Sequence, residues 1–392
     1  MTPYPEKKAS MKLEHLAISC GGTGGHFYPG LAVAREFKEQ GGDVLLVIGG
    51  KNAPEQSKIA DSYQIPNIQV KASAPGMRPL SAMRFFFNFF AGRSAAMEGF
   101  RKQGTQALLC MGSFASLPPA FAAKKLHIPI FLHDGNARLG KANKFLSRYA
   151  RALALSFPSP DAEKCLCPSI FTGMPLRSEL KNTTCSKTDA LAKINEKYGT
   201  QFDASHPVLL AFGGSLGAAS LNKAVLTLLS LPGAEKLQFI HLAGKGKMEE
   251  LKASYDAFEG KKLLLESSGE MLYLYSAADL VICRAGGSTV AESACFGKYT
   301  VLVPYPYAAE DHQFDNASYL AQGGGASILR DDEFLAEKLG KIVTSFLSSP
   351  EIFLENGKKN LLKAKPEASG EIIAMMENLL FAAKGASGQG DH

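Results

Sequence analysis

The chain has 392 residues, 46% hydrophobic and 20% charged, with a formal net charge of +6. That length suits two domains of roughly 100–200 residues, and the composition excludes a disordered or fibrous chain. The mild basicity suits an anionic substrate or a lipid surface but lacks the clustering of a nucleic-acid binder, so no nucleic-acid partner is expected.

The start, MTPYPEKKASMKLEHLAIS, holds no long apolar stretch, so neither a signal peptide nor a membrane-crossing helix is expected. The seven cysteines are scattered and odd in number, as in a reducing cytosol. Cys165 and Cys167 form a C-x-C pair with no partnering His pair, so no metal site is expected.

In chain order, apolar runs of strand length occur at 13–19, 43–49, 107–112, 128–133 and 152–156, then at 207–214, 237–244, 280–286 and 299–305. Their near-continuous apolar character predicts parallel strands buried on both faces. Helical patterns fall at 29–40, 80–103, 114–126, 139–150, 218–230, 270–277, 288–296 and 312–322. The repeated strand–helix order predicts an α/β protein with a doubly wound, Rossmann-like parallel sheet in each half. We expect residues 1–12 to be a flexible extension, 13–172 an N-terminal domain and 173–365 a C-terminal domain. Residues 366–384 read as a helix returning to the N-terminal domain, and 385–392 as a disordered tail. Two such domains usually bind ligand in the cleft between them.

Each half opens on the same device: strand 13–19 runs into GGTGGH, and the strand from 207 runs into GGSLGA. Bare backbone there lets N–H groups approach an anion, and the following helix adds a partial positive end. The plainer reading is a pair of tight strand-to-helix turns. Neither loop satisfies G-x-G-x-x-G, and strand 43–49 ends in Gly-Gly-Lys instead of a ribose-binding acid, which argues against a dinucleotide. A P-loop is absent. CRAGGSTVAESACFG (283–297) offers a third anion site, with Arg284 at a strand end and Gly286 and Gly287 before a helix. Glu292, about one turn in, could take both hydroxyls of a ribose; alternatively it is an ordinary first-turn acid.

These motifs resemble the peptidoglycan glycosyltransferases of glycosyltransferase family 28, which have the GT-B fold. The resemblance rests on GGTGGHFYPGLAVA, HDGNARLGKANKFL (133–146), TGMPLR (172–177), GGSLGAASLN, VICRAGGSTVAESACFGK and PYPYAAEDHQFDNA, in order and spacing from residue 13 to 330. It implies two Rossmann-like domains facing each other across a cleft, and inverting transfer of N-acetylglucosamine (GlcNAc) from UDP-GlcNAc to lipid I, undecaprenyl-diphosphate-N-acetylmuramoyl-pentapeptide, giving lipid II. The C-terminal domain would hold the nucleotide sugar. There Glu292 would meet the ribose, Gly214 and Ser215 the diphosphate, and Arg284, Gly286, Gly287 and Thr289 the nucleotide. His312 and Gln313, beside Asp311, would lie near the sugar, and Arg177 at the hinge would touch the donor. In the N-terminal domain Gly22, Thr23, Gly24, Gly25, Gly112, Asn136 and Asn143 would meet the acceptor. Of these, Thr23, Gly24, Gly25 and Asn136 would also reach UDP-GlcNAc. His26 and Asp134 would be catalytic.

The chain departs from the family at Asp134-Gly135, where Glu-Gln is usual, at Leu216, where Gln is usual, and at Gly112-Ser113-Phe114, where GGY is usual. Asp134 is one methylene shorter, and Leu216 cannot make an amide contact.

Such a transfer needs a base for the acceptor hydroxyl and stabilisation of the departing diphosphate. His26 is the first candidate base, its ring titrating near pH ~6.5 when unperturbed. It could instead bind a substrate phosphate or hold its loop. Asp134 is the second candidate, and His133 reads as a structural strand-end residue. No D-x-D occurs, so helix ends and Arg284 are expected to serve without metal, and no cofactor is expected.

Residues 77–102 carry Phe85, Phe86, Phe87, Phe89 and Phe90 with Arg84 and Arg93 nearby. On a helix these rings cover most of the circumference, so some must face outward. An aromatic patch rimmed by cations fits peripheral binding to an anionic membrane, with Phe85, Phe86, Phe89, Phe90, Arg84 and Arg93 the expected contacts, and the resemblance implies the cytoplasmic face of the inner membrane. A buried helix contact is the alternative. Contacts with other cell-wall enzymes are a further expectation. Rival functions on one fold are a diacylglycerol glycosyltransferase, a UDP-GlcNAc 2-epimerase and a non-catalytic nucleotide-sugar sensor. The epimerase would need neither the phenylalanines nor GGTGGH.

Overall fold

The computed structural model describes residues 12–72, 79–181, 185–214 and 217–386. Most of the expected extension and tail, together with Ser215 and Leu216, lies outside them.

Seven strands build the first sheet: β1 (His15–Gly21), β2 (Asp43–Gly49), β3 (Asn67–Val70), β4 (Ala107–Cys110), β5 (Ile130–Asp134), β6 (Ala152–Leu155) and β7 (Ser169–Phe171). Six build the second: β8 (Val208–Phe212), β9 (Gln238–Leu242), β10 (Lys262–Leu265), β11 (Leu280–Cys283), β12 (Tyr299–Leu302) and β13 (Ala326–Ile328). The orders are β3-β2-β1-β4-β5-β6-β7 and β10-β9-β8-β11-β12-β13, and every pairing is parallel. Both sheets are therefore doubly wound, as the strand–helix alternation predicted. The central strands are buried on both faces, which is why they read as continuous apolar runs. Strand order reverses between β1 and β4 in one sheet and between β8 and β11 in the other. Open α/β sheets bind ligand outside the carboxyl ends of such strand pairs. The glycine motifs sit there.

Four strands escape the sequence pattern: β3, β7, β10 and β13, each three or four residues long and partly exposed. All are at sheet edges, where one side lacks a neighbour and the apolar signal fades. The polar helices Ala53–Ser62 and Glu249–Ala257 were likewise unread. The helix Lys187–Tyr198 begins where Ser186 Oγ accepts Asp189 N–H at 3.1 Å and ends at Gly199, φ 67°. The last helix, Ala368–Ala386, packs Ile372, Ile373, Met375 and Met376 into the core of the first lobe. Leu13 N–H also donates to Glu377 Oε1 at 3.1 Å, so that helix ties both ends of the described chain to one sheet.

Candidate active site

At the end of β1 the backbone turns through Gly21 and Gly22, φ 109° and 84°, a region side chains avoid. Thr23 then caps a helix that starts at Gly24, five residues before the apolar periodicity suggests. Gly24 and Gly25 are thus its first turn, and their N–H groups have no intrahelical acceptor. His26 Nδ1 lies 2.9 Å from Thr23 Oγ1. The opposite edge of the ring faces Gly112, where a Cβ would come within 3.4 Å of Nε2. Burial pushes the His26 pKa down to about 4, with a smaller electrostatic push in the same direction from His312 of the second lobe. The ring is therefore neutral, and the two lobes are electrically in touch at this point.

Asp134 ends β5 and is buried. Its Oδ2 accepts Gly140 N–H at 2.8 Å and Asn143 Nδ2 at 2.9 Å, and its Oδ1 accepts Asn136 N–H at 3.2 Å. Asn143 also donates to His133 O at 2.9 Å. Burial raises the Asp134 pKa, and these donors oppose the rise. A carboxylate so engaged folds the 134–143 loop around itself. This argues against the expectation of a free second base: Asp134 and Asn143 form a brace. His133 is structural, its Nε2 2.9 Å from Ser156 Oγ.

In the second lobe, Gly217 packs so tightly on Ala243 O that a Cβ there would overlap it. The Ala243 carbonyl is held by Asn222 Nδ2 at 2.9 Å, and Asn222 Oδ1 meets His241 Nε2 at 3.1 Å. Tyr255 OH completes the chain at His241 Nδ1, 2.9 Å. Gly214 stands at φ 85° at the mouth of this loop.

Gly286 caps the helix Gly287–Cys295, whose first residues include Thr289. Arg284 departs from expectation. Its guanidinium pairs with Asp331 at 2.7 Å and donates to Val303 O, Pro304 O and Ser220 Oγ at 3.1, 3.3 and 3.1 Å. Those bonds commit NH1 and NH2 to the protein, and the charge is matched. Arg284 ties the switch point together and is not a free cation for a leaving group. Glu292 is pushed up by burial, while Arg177 and Tyr275 pull it down. Arg177 thus acts on the helix Gly287–Cys295 from the hinge, its guanidinium 6.0 Å from the Tyr28 ring centroid.

His312 and Gln313 open the helix His312–Ala321 behind two residues of left-handed backbone, Glu310 and Asp311. Gln313 Oε1 accepts Tyr305 N–H at 2.9 Å, which aims the amide, while Asp311 is paired with Arg330 at 2.9 Å. Asn316, one turn on, was missed by the sequence reading. It lies on the face of His312, four residues away, and a helical count within PYPYAAEDHQFDNA would have found it. Among the described residues, no three His, Cys, Asp or Glu side chains are grouped as metal ligands would be.

On the outer face of the first lobe, Phe86, Phe87 and Phe90 are 58%, 67% and 59% exposed. Phe85 and Phe89 are not free, contrary to expectation. Phe89 packs on Phe121 with ring centroids 5.5 Å apart, and Phe85 lies against Phe89 at 6.2 Å. Phe87, outside the expected set, belongs to the exposed group, with Lys71 5.8 Å from its ring centroid. Among the described residues, no helix is long and apolar enough to cross a membrane.

The model of the glycosyltransferase family 28 N-terminal domain matches residues 16–155, and that of its C-terminal domain matches residues 208–372. A protein of Hahella chejuensis named UDP-N-acetylglucosamine–N-acetylmuramyl-(pentapeptide) pyrophosphoryl-undecaprenol N-acetylglucosamine transferase is 33% identical over 91% of this chain and 95% of its own. A like-named protein of Neisseria meningitidis is 34% identical over 83% of this chain and 88% of its own. The crystal structure of MurG from Acinetobacter baumannii superposes with a TM-score of 0.71 at 28% identity, over 93% of this chain and 99% of that one. A UDP-GlcNAc 2-epimerase of N. meningitidis superposes at 0.65 with 11% identity over 92% and 99%, a likeness of fold alone.

Proposed function

The chain belongs to glycosyltransferase family 28, and from that premise we propose how its cleft works. It is a UDP-GlcNAc-dependent glycosyltransferase of peptidoglycan synthesis, moving GlcNAc from UDP-GlcNAc to lipid I to form lipid II. The observation that best supports a transfer centre here is the contact of the two lobes at their switch points, where a Cβ on Gly287 would overlap Gly135 O and Asn316 bonds both Ala137 and Ala285.

In our reading His26 is the base. With Nδ1–H donating to Thr23 Oγ1, Nε2 carries the lone pair and takes the proton of the acceptor hydroxyl. That oxygen attacks the anomeric carbon as its bond to UDP breaks on the opposite side, inverting the centre. The N–H groups of Gly24 and Gly25 hold the acceptor diphosphate. Those at Gly214 and at the Gly286–Gly287 helix end stabilise the departing one. Glu292 takes the ribose hydroxyls, with Arg177, Thr289, His312 and Gln313 lining the donor. Asp134, Asn136 and Asn143 shape the acceptor loop, and Arg284 supports the donor wall from behind. The chemistry in this reading needs no metal.

The test offers radiolabelled UDP-GlcNAc and a short-chain lipid I analogue in EDTA. Label in a lipid-linked disaccharide is the expected outcome. Epimerised sugar without lipid product would overturn the assignment.

We further propose that Phe86, Phe87 and Phe90 seat the enzyme on the cytoplasmic face of the inner membrane, with Arg84 and Arg93 on anionic headgroups. Burying a Phe is worth ~1.5–3 kcal/mol, so even half of that for three rings totals roughly 2–4 kcal/mol. Replacing all three by Ser should weaken partition onto phosphatidylglycerol vesicles by about 100-fold, measured by co-sedimentation. Turnover of a short-chain soluble acceptor should persist. Unchanged partition would place the membrane contact elsewhere.

A further inference from the structure

The acceptor loop 134–143 of the first lobe touches the helix His312–Ala321 of the second, and one side chain there bonds to both lobes. Asn316 is fully buried. Its Oδ1 accepts Ala137 N–H at 2.8 Å, and its Nδ2 donates to Asn136 Oδ1 and to Ala285 O, both at 3.1 Å. A carboxamide has two N–H donors, and both are used. The flipped amide would set N–H against the Ala137 N–H, so one orientation is imposed.

The three partners have different loyalties. Asn136 and Ala137 follow Asp134 in the first lobe, while Ala285 directly precedes the Gly286 cap of the nucleotide helix. Arg138 and Asp315 pair beside them at 2.5 Å. That pair is partly exposed and contributes little on its own.

We infer that Asn316 is a positioning residue that sets the register between the acceptor loop and the nucleotide-sugar helix. It also fixes what Asn136 can offer. With Asn136 Oδ1 engaged, the side chain presents Nδ2 donors, suited to a phosphate or hydroxyl oxygen of substrate. A rigid link across the cleft keeps the attacking hydroxyl in line with the anomeric carbon, and errors of about 1 Å there can cost on the order of 100-fold in rate. This rests on the transferase reading for its kinetic test, though not for its structural one.

The experiment compares wild type, Asn316→Asp, Asn316→Ala, Asn136→Ala and the Asn136→Ala/Asn316→Ala double variant. Asp keeps the acceptor for Ala137 but sets a carboxylate against Asn136 Oδ1 and Ala285 O. With UDP-GlcNAc and the lipid I analogue, we expect kcat to fall about 50-fold for either Asn316 variant, with the UDP dissociation constant within about threefold. The double variant should lose much less than the product of the two single losses. Amide hydrogen exchange of residues 134–143 should slow when UDP binds wild type and respond far less in the Asn316 variants. Asn136→Ala, at a partly exposed site, keeps the test decisive if Asn316→Ala folds poorly. Parallel loss of UDP affinity and kcat, full additivity, or an unchanged exchange response would overturn the inference. If wild type makes no lipid product yet the exchange response depends on Asn316, the transferase reading fails and the positioning role stands.

Discussion

His26→Ala should lower kcat on the order of 10³-fold, within the 10²–10⁴ that general bases contribute, with UDP affinity changed by no more than about threefold. The ring touches Thr23 and Gly112 of the first lobe, and in the proposed arrangement the second lobe holds the nucleotide, so donor binding has little to lose. The pH profile is the sharper readout. A base must be unprotonated, and burial has pushed His26 down to about 4. The acid limb of kcat/KM, which reports the free enzyme, should therefore bend near pH 4, with activity level from about pH 5 upward. An ordinary histidine would bend near 6.5. Bound diphosphates favour the charged ring, so the acid limb of kcat should lie above that of kcat/KM. A His26→Ala enzyme with unchanged kcat and a large rise in acceptor KM would make the ring a binder and not a base.

What could be read in the sequence divides along physical lines. The central strands β1, β2, β4, β5, β8 and β11 are buried on both faces, so their signal is strong and local. Edge strands such as β3 (NIQV) are held by one neighbour and carry no such signal. The glycine clusters were legible because a turn at φ 109° and a close approach to Ala243 O permit little else. Arg284 and Asp134 were not, because the groups that occupy them are decided by how the chain folds back and not by local pattern. Asp331 lies 47 residues from Arg284 and Gly140 lies beyond a loop from Asp134, and neither pattern nor spacing announces such pairs. A charged residue at a strand end reads as functional until the group that neutralises it is seen. Phe85 and Phe89 failed similarly: five phenylalanines must leave some outside, but which ones depends on where Phe121 lies.

Gly287→Ala should lower kcat by at least about 100-fold in a protein that still folds. Local preference favours the substitution, because Gly287 is the first residue of a helix and its φ is ordinary. Alanine there would gain the ~0.5–1 kcal/mol that glycine forfeits in helices. What opposes it is the other lobe. A Cβ at 287 would lie inside the carbonyl oxygen of Gly135 and 2.9 Å from Met174 Cε. The methionine can swing away, but the carbonyl is backbone, anchored next to Asp134 and its three donors. Relief requires the loop after β5 and the helix Gly287–Cys295 to separate; in the proposed arrangement these carry acceptor and donor, and a shift of about 1 Å between reacting groups costs on the order of 100-fold. Gly340→Ala is the control. It sits within the helix Leu335–Ser348, with its nearest neighbour, Leu231, at 3.6 Å, so a methyl group fits. Its melting temperature should be unchanged or slightly higher, with normal kcat. Near-normal kcat for Gly287→Ala, measured with the same donor and acceptor, would mean that turnover does not use the close approach of Gly135 and Gly287. The lobes would then have to work farther apart than they stand here, and His26 would meet the sugar only after a movement this arrangement does not contain.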